Sequence, residues 1–523
     1  MPRFMPLNYQ QHSMVVINYL DQLRAGTFEY AIHYLIEEKL DLSVFYPKYK
    51  NDATGRLAYD PAALLKIVLF AYSKGITSSR EIQWCCETNI IFKALSCDSV
   101  PHFTTIAAFI SGRKDEIASV FEQILLICQM QGLLGNELFA IDGCKMSSNA
   151  SKEWSGTFNE LEEKRDKLKR HIRYQLELHE RLDNTDTAEQ AKQQRIQQTI
   201  DTLNKAHDKI EGFLNHKTAK PRMGTGKRPR EVKSNITDNA SAKMTTSKGT
   251  IQGYNGVAAV DKKYQVIVDA QVFGSGREQH TLKPILDTIQ SRYKRLGISE
   301  NIFAEQTIVT ADTGFASESN MAYLHEHNIN AYIPDNQFRS RDPKFNEQKA
   351  KYGKRHQDKK VRKKTTIPAS EFQFDPVCKT CICPAGEQIS FRGIRETTEG
   401  IKTAYFEGKL LQCRHCDKKH KCMHNPKSAE HRKGAGRQVS FRLEADRAPT
   451  YTDWMKQRVD SDRGKQIYSH RMSVVEPVFG NIGTNKGLNR FSLRGKDKVQ
   501  GQWHLFCLIH NIEKLHNYGK VLH

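Results

Sequence analysis

The chain has 523 residues, with 80 Lys and Arg against 59 acids, a formal charge of +21 and a pI of about 9.3. That length excludes a single small core, and the charge makes a polyanion, DNA or RNA first, the partner to consider. A basic ribosome- or membrane-associated protein shares the charge, but no uncharged run reaches the roughly 18 residues of a membrane span.

The start, MPRFMPLNYQQHSMVV, lacks the apolar core of a signal peptide, so the expectation is a cytoplasmic chain with no membrane partner. Its twelve cysteines then read as thiols or metal ligands.

Residues 1–135 read as helices separated by tight turns. Asp60-Pro61 is a cap-then-proline start, PAALLKIVLFAYSKG carries an apolar stripe to Gly75, and Thr77 is the expected N-cap of the next helix. Such a region suits a helix-turn-helix-like DNA-binding domain, or any small helical bundle. A strand, LFAIDGCKM, is expected to end at Asp142. Residues 158–233 form an insertion: a charged helical hairpin with Leu161, Leu168 and Ile172 on one face and Ile196, Ile200, Leu203 and Ile210 on another, broken at DNTDT (183–187), then a basic linker. Within that linker Lys227, Arg228 and Arg230 are candidate phosphate contacts.

Two alternating strands follow over 249–272 around a turn at Asp261-Lys262-Lys263. A helix near 281–295, a strand ending at Asp312, a helix from about Ser317 to His327 and a short strand at 331–334 continue an α/β core. Residues 339–439 then insert a basic stretch and a cysteine-rich island, and the core resumes over 440–523. The spacing CKTCIC, CRHC and Cys422 fits a zinc-ribbon-like module, with Cys383, Cys413, Cys416 and Cys422 the preferred quartet and Cys378 and Cys381 the substitutes; a cluster of reduced thiols is the other reading.

Asp142 and Asp312 are both acids at expected strand ends, where an Asp before a small residue also marks an ordinary turn. The third acid, Glu476, lies in YSHRMSVVEPVFGNIG, whose apolar residues recur at helical spacing. Pro477 disfavours helical geometry at Glu476, so a kink or helix start is expected there. Three converging carboxylates suit hard divalent ions, and two such ions can promote in-line phosphoryl displacement.

The segments IDGCKMSSNAS, QGYNGVAAVD, VTADTGFASESNMAYLHEHNINAYIPD and YSHRMSVVEPVFGNIGTNKGLNRF resemble those of bacterial insertion-sequence DDE transposases. The resemblance spans nearly the whole chain and implies an α/β fold: a ribonuclease-H-like mixed sheet with helices over 136–157, 234–338 and 440–523, interrupted by the two insertions and preceded by an all-α domain. It implies Asp142, Asp312 and Glu476 as ligands of Mg²⁺ or Mn²⁺, two ions in all, and Tyr468 and Arg471 as DNA contacts. The family's lysine seven residues after the Glu is Gly483 here, with Lys486 the candidate replacement. Cys144 stands where a hydroxyl residue is more usual, and reads as packing. The implied activity is recognition of terminal inverted repeats in double-stranded DNA, metal-dependent cleavage and strand transfer by a nucleoid-associated homo-oligomer, at least a dimer on DNA. A catalytically impaired DNA-binding relic, a metal-dependent nuclease with the same core, and a zinc-stabilised adaptor are the alternatives.

Overall fold

The computed structural model describes residues 16–49, 57–182, 190–223, 230–247, 249–345, 366–396, 402–431, 434–443 and 449–520. It divides into two compact units, Met1–Asn336 with Met455–His523, and Gln337–Trp454.

The first unit opens with short helices. Asp60 caps the helix Pro61–Ser73 by accepting the Ala62 amide at 2.7 Å, and Gly75 takes the left-handed conformation past its end. That helix is buried over nearly its whole circumference, as a central core helix must be. The next helix, Ser79–Thr88, has Ser78 at its N-cap rather than the expected Thr77.

The sheet of this unit has six strands among the described residues: β1 (Leu138–Ser147), β2 (Ala242–Thr246), β3 (Gly249–Asp261), β4 (Ile267–Phe273), β5 (Ile308–Ala311) and β6 (Ala331–Tyr332). β1 lies at its centre, antiparallel to β3 and parallel to β5; β4 and β2 pair antiparallel with β3, and β6 parallel with β5. The mixture follows from chain lengths: the turn after Asp261 permits only an antiparallel return, whereas the helix Leu282–Arg295 provides the crossover a parallel strand needs.

β4 exposes an edge, and the helix Lys496–Tyr518 covers it. Asn511 bonds both the amide and the carbonyl of Ile267 at 2.8 Å, while Gln500 accepts from Val272 and donates to Ala270. The same helix packs into the N-terminal helices, with Phe506 against Tyr72 and His504 stacked on Phe121.

The insertion forms two helices, Phe158–Leu182 and Gln190–His216, packed on each other with Leu161, Ile196, Ile200 and Ile210 in the seam. Phe158 meets Phe213, so the pair runs antiparallel. The expected break at 183–187 lies outside the described residues.

Among its described residues the second unit has five strands in sequential antiparallel order: Gln373–Asp375, Thr380–Ile382, Gln388–Glu396, Lys402–Glu407 and Gln438–Arg442. Phe372, Cys381, Ile389, Ala404, Phe406 and Val439 form its core.

Candidate functional site

Asp142 is not at the tip of its strand, as expected, but within it, because the antiparallel ladder with β3 continues to Ser147. The parallel ladder on its other side is shorter. Its last pair is Ile141 with Ala311, so the next residues, Asp142 and Asp312, emerge side by side where β5 stops. The carboxylates are therefore aimed by two rigid neighbouring strands.

The helix Asp462–Gly480 crosses this point. Arg471 Nη1 donates to Asp142 Oδ2 at 2.9 Å, and Nη2 lies 3.7 Å from Asp312 Oδ1. Tyr468, one turn earlier, donates its hydroxyl to Asp312 Oδ1 at 3.3 Å. Burial pushes the Asp142 carboxyl above the usual carboxylate range, against the pull of Arg471. Burial opposes the charge of Arg471, but Asp142, Tyr468 and Asp312 outweigh it and raise its pKa. Burial also raises the Tyr468 phenol.

The expected helix start at Glu476 is absent: the helix runs from Asp462 through Pro477 to Gly480. Proline cannot donate to the carbonyl of Ser473, one turn back, and Gln265 Nε2 takes that carbonyl at 3.0 Å instead. Glu476 is exposed and, among the described residues, makes no hydrogen bond or ion pair with either aspartate. The structure thus joins Asp142, Asp312, Tyr468 and Arg471, and leaves Glu476 on the same helix facing solvent.

Lys486 corrects an expectation. It is 1 % exposed, and its ammonium donates to Glu513 at 2.6 Å, so it faces the interior rather than a DNA strand. The wide π-helical turn Asn481–Asn485, which follows the helix, leads into Lys486, with the Lys486 amide bonded to the Asn481 carbonyl. Lys227 and Arg228 lie outside the described residues, and Arg230 begins a two-residue strand paired with Arg222–Met223. Cys144 is partly buried opposite Gly256, and burial raises its thiol pKa.

In the second unit, Cys383, Cys413, Cys416 and Cys422 all line one cavity of about 40 Å³. The Pro384–Gly386 turn folds back after Cys383, with the Gly386 amide on the Cys383 carbonyl at 2.8 Å. Cys413 Sγ accepts the Arg437 amide at 3.4 Å and sits between Gly408 and Gly436, where a Cβ would approach to 2.8 and 3.0 Å. Burial raises the Cys413 and Cys422 thiols, and the neighbouring cysteines add to it. Cys381 instead lies in the sheet core, and Cys378 is exposed on a turn held by Asp375. The only group of three or more His, Cys, Asp or Glu with ligand atoms within 4.8 Å of one another among the described residues is His207, Asp208 and Glu211, largely exposed on one helix.

Two residues that no sequence signal marks stand beside the aspartate pair: Lys145 on β1, and Glu278, whose carboxylate lies 3.2 Å from the Lys145 ammonium. Glu278 sits in an irregular turn, where neither periodicity nor a strand end draws attention.

An α/β protein with two acids on adjacent strands and a cationic helix laid across them is the class these features define. Residues 382–516 match the family model "Transposase DDE domain", and residues 17–112 match "Transposase domain (DUF772)". Together the two matches support an insertion-sequence DDE transposase, a kind of enzyme that in general cuts and transfers DNA and uses divalent metal ions. No curated protein matches the sequence. No helix among the described residues is long and apolar enough to cross a membrane.

Proposed function

We propose that the protein binds the terminal inverted repeats of its insertion sequence and catalyses metal-dependent cleavage and strand transfer. The observation that carries this reading is the Asp142–Asp312 pair, aimed from two strands and already sharing a cation, the Arg471 guanidinium. The ribonuclease-H-like reading of the core draws support from four strands, β1 to β4, joined by antiparallel pairings through β3, followed by β5 and β6, which run parallel to β1.

The donor set suits Mg²⁺ or Mn²⁺, which take one or two carboxylates each and retain waters. Two ions held by Asp142, Asp312 and Glu476 would supply activation of the attacking oxygen and stabilisation of the leaving one. Arg471 neutralises the acids and Tyr468 helps orient Asp312, and in the proposed complex both would turn to a DNA phosphate. Cys383, Cys413, Cys416 and Cys422 line one cavity, and Cys413 accepts a backbone N–H, but no three of their sulfurs lie within 4.8 Å of one another, so a structural Zn²⁺ held by them would have to draw the thiols together. Lys227, Arg228 and Arg230 supply sequence-independent affinity, and a homo-oligomer bridges two DNA ends.

The exposure of Glu476, with Gly483 at the position of the family's lysine, favours a second reading, a DNA-binding relic. Incubating the protein with Mg²⁺ and the DNA flanking its own gene, then mapping breaks, separates the two. Breaks at the repeat ends with joined products support the transposase. Binding without breaks supports the relic, and breaks without end preference indicate a nuclease.

A further inference from the structure

We infer that Glu278 is a further carboxylate of the divalent-ion centre, beside Asp142 and Asp312; this rests on the metal-dependent reading above. Glu278 leads the turn Glu278–His280, ahead of the helix Leu282–Arg295, and its side chain is 16 % exposed. One oxygen faces Lys145 at 3.2 Å. The other lies over Gly314, two residues beyond Asp312, where a Cβ would collide with it. The glycine is what lets this carboxylate come up against the Asp312 loop.

Asp142 and Asp312 both act electrostatically on Glu278. Three acids, Asp142, Asp312 and Glu278, thus share two cations, Lys145 and Arg471. A partly buried surplus of negative charge is costly unless another cation joins it.

A second observation points the same way. Asn255, the cross-strand partner of Lys145, is fully buried, and neither atom of its side-chain amide has a hydrogen-bond partner. Its amide lies over Gly143, where a Cβ would come within 2.7 Å of Oδ1. Buried amides are nearly always satisfied. An orphan of this kind, on the sheet face that carries Lys145, the partner of Glu278, fits an ion that keeps part of its water shell. Glu476, by contrast, is exposed on the helix above.

The test is Mn²⁺ binding to the full-length protein without DNA, read by electron paramagnetic resonance, with thermal melting to confirm folding. Glu278→Gln is expected to weaken Mn²⁺ binding by about 10- to 100-fold. Gly314→Ala, which displaces the carboxylate without removing it, should weaken binding in the same direction and carries the test if Glu278→Gln does not fold. Lys145→Met should leave Mn²⁺ binding intact or tighter. Wild-type binding by Glu278→Gln and Gly314→Ala, with loss in Asp142→Asn, overturns the role of Glu278 but leaves the aspartate centre standing. An equal loss in Lys145→Met and Glu278→Gln also overturns it, as a purely structural ion pair. Wild-type binding by Asp142→Asn sinks the metal-centre reading itself and this inference with it.

Discussion

Arg471 holds Asp142 through a 2.9 Å hydrogen bond, and the same guanidinium reaches within 3.7 Å of Asp312. Without it, two adjacent carboxylates would repel each other in a partly desolvated position. Arg471→Gln is therefore expected to destabilise the metal-free protein by about 1.5–3 kcal/mol. Mg²⁺ should restore more of the melting temperature in this variant than in wild type. An equal Mg²⁺ response in both proteins would contradict the placement of Arg471 as a counter-ion of the pair.

The acids themselves give a sharper readout. Asp142→Asn, Asp312→Asn and Glu476→Gln should each reduce Mg²⁺-dependent end cleavage by about 100-fold or more. DNA affinity should survive, and should fall steeply as salt rises, because phosphate contacts release counter-ions. Gel-shift titrations at two salt concentrations, beside a cleavage assay, check both parts. Near-normal cleavage by any variant removes that residue from the centre.

For the cysteines, elemental analysis of purified protein should find about one equivalent of zinc. Cys413→Ser should lose it, and a chelator should lower the melting temperature of the second unit. Cys378→Ser, at an exposed turn, should keep the metal, whereas Cys381→Ser should keep it while weakening the sheet core.

Stability should also fall with acid through two buried histidines. Burial holds His504 and His510 down to about 3, so neither charges in the folded state at moderately low pH. In the unfolded chain both take up protons near pH 6.5. Below that value the unfolded state binds more protons, and stability declines as pH drops from about 6.5 towards about 3. Melting temperatures between pH 7.5 and 5 should show this slope, and His504→Gln should flatten it.

Lys486→Met should cost about 1–3 kcal/mol, because it strips Glu513 of its ammonium partner. DNA affinity should be unchanged. A large loss of DNA binding without loss of stability would restore Lys486 as a DNA contact.

Much of the core was legible from pattern. The helix Leu282–Arg295, the strand before Asp312 and the two strands around Asp261 are long periodic or alternating runs, and they stand where periodicity places them. Local rules failed where tertiary partners intervene. Pro477 does not break its helix because Gln265, far away in sequence, replaces the missing donor. Strand β1 does not stop at Asp142 because β3 is long enough to pair with it to Ser147. Lys486 has the composition of a surface residue and is buried only because Glu513 waits for it on another helix. Glu278 was illegible for a different reason: its position depends on the missing side chain at Gly314, a relationship no linear spacing encodes.

The helix Lys496–Tyr518 has a consequence for how the gene tolerates damage. Its Asn511 and Gln500 close the margin of β4, and its Phe506 and His504 fill the bundle made from the opening of the chain. Both halves of this unit therefore wait, during synthesis, for a segment made after both of them. A nonsense codon near residue 495 would spare Asp142, Glu278, Asp312 and Glu476, yet yield a polypeptide with no means of holding them in place.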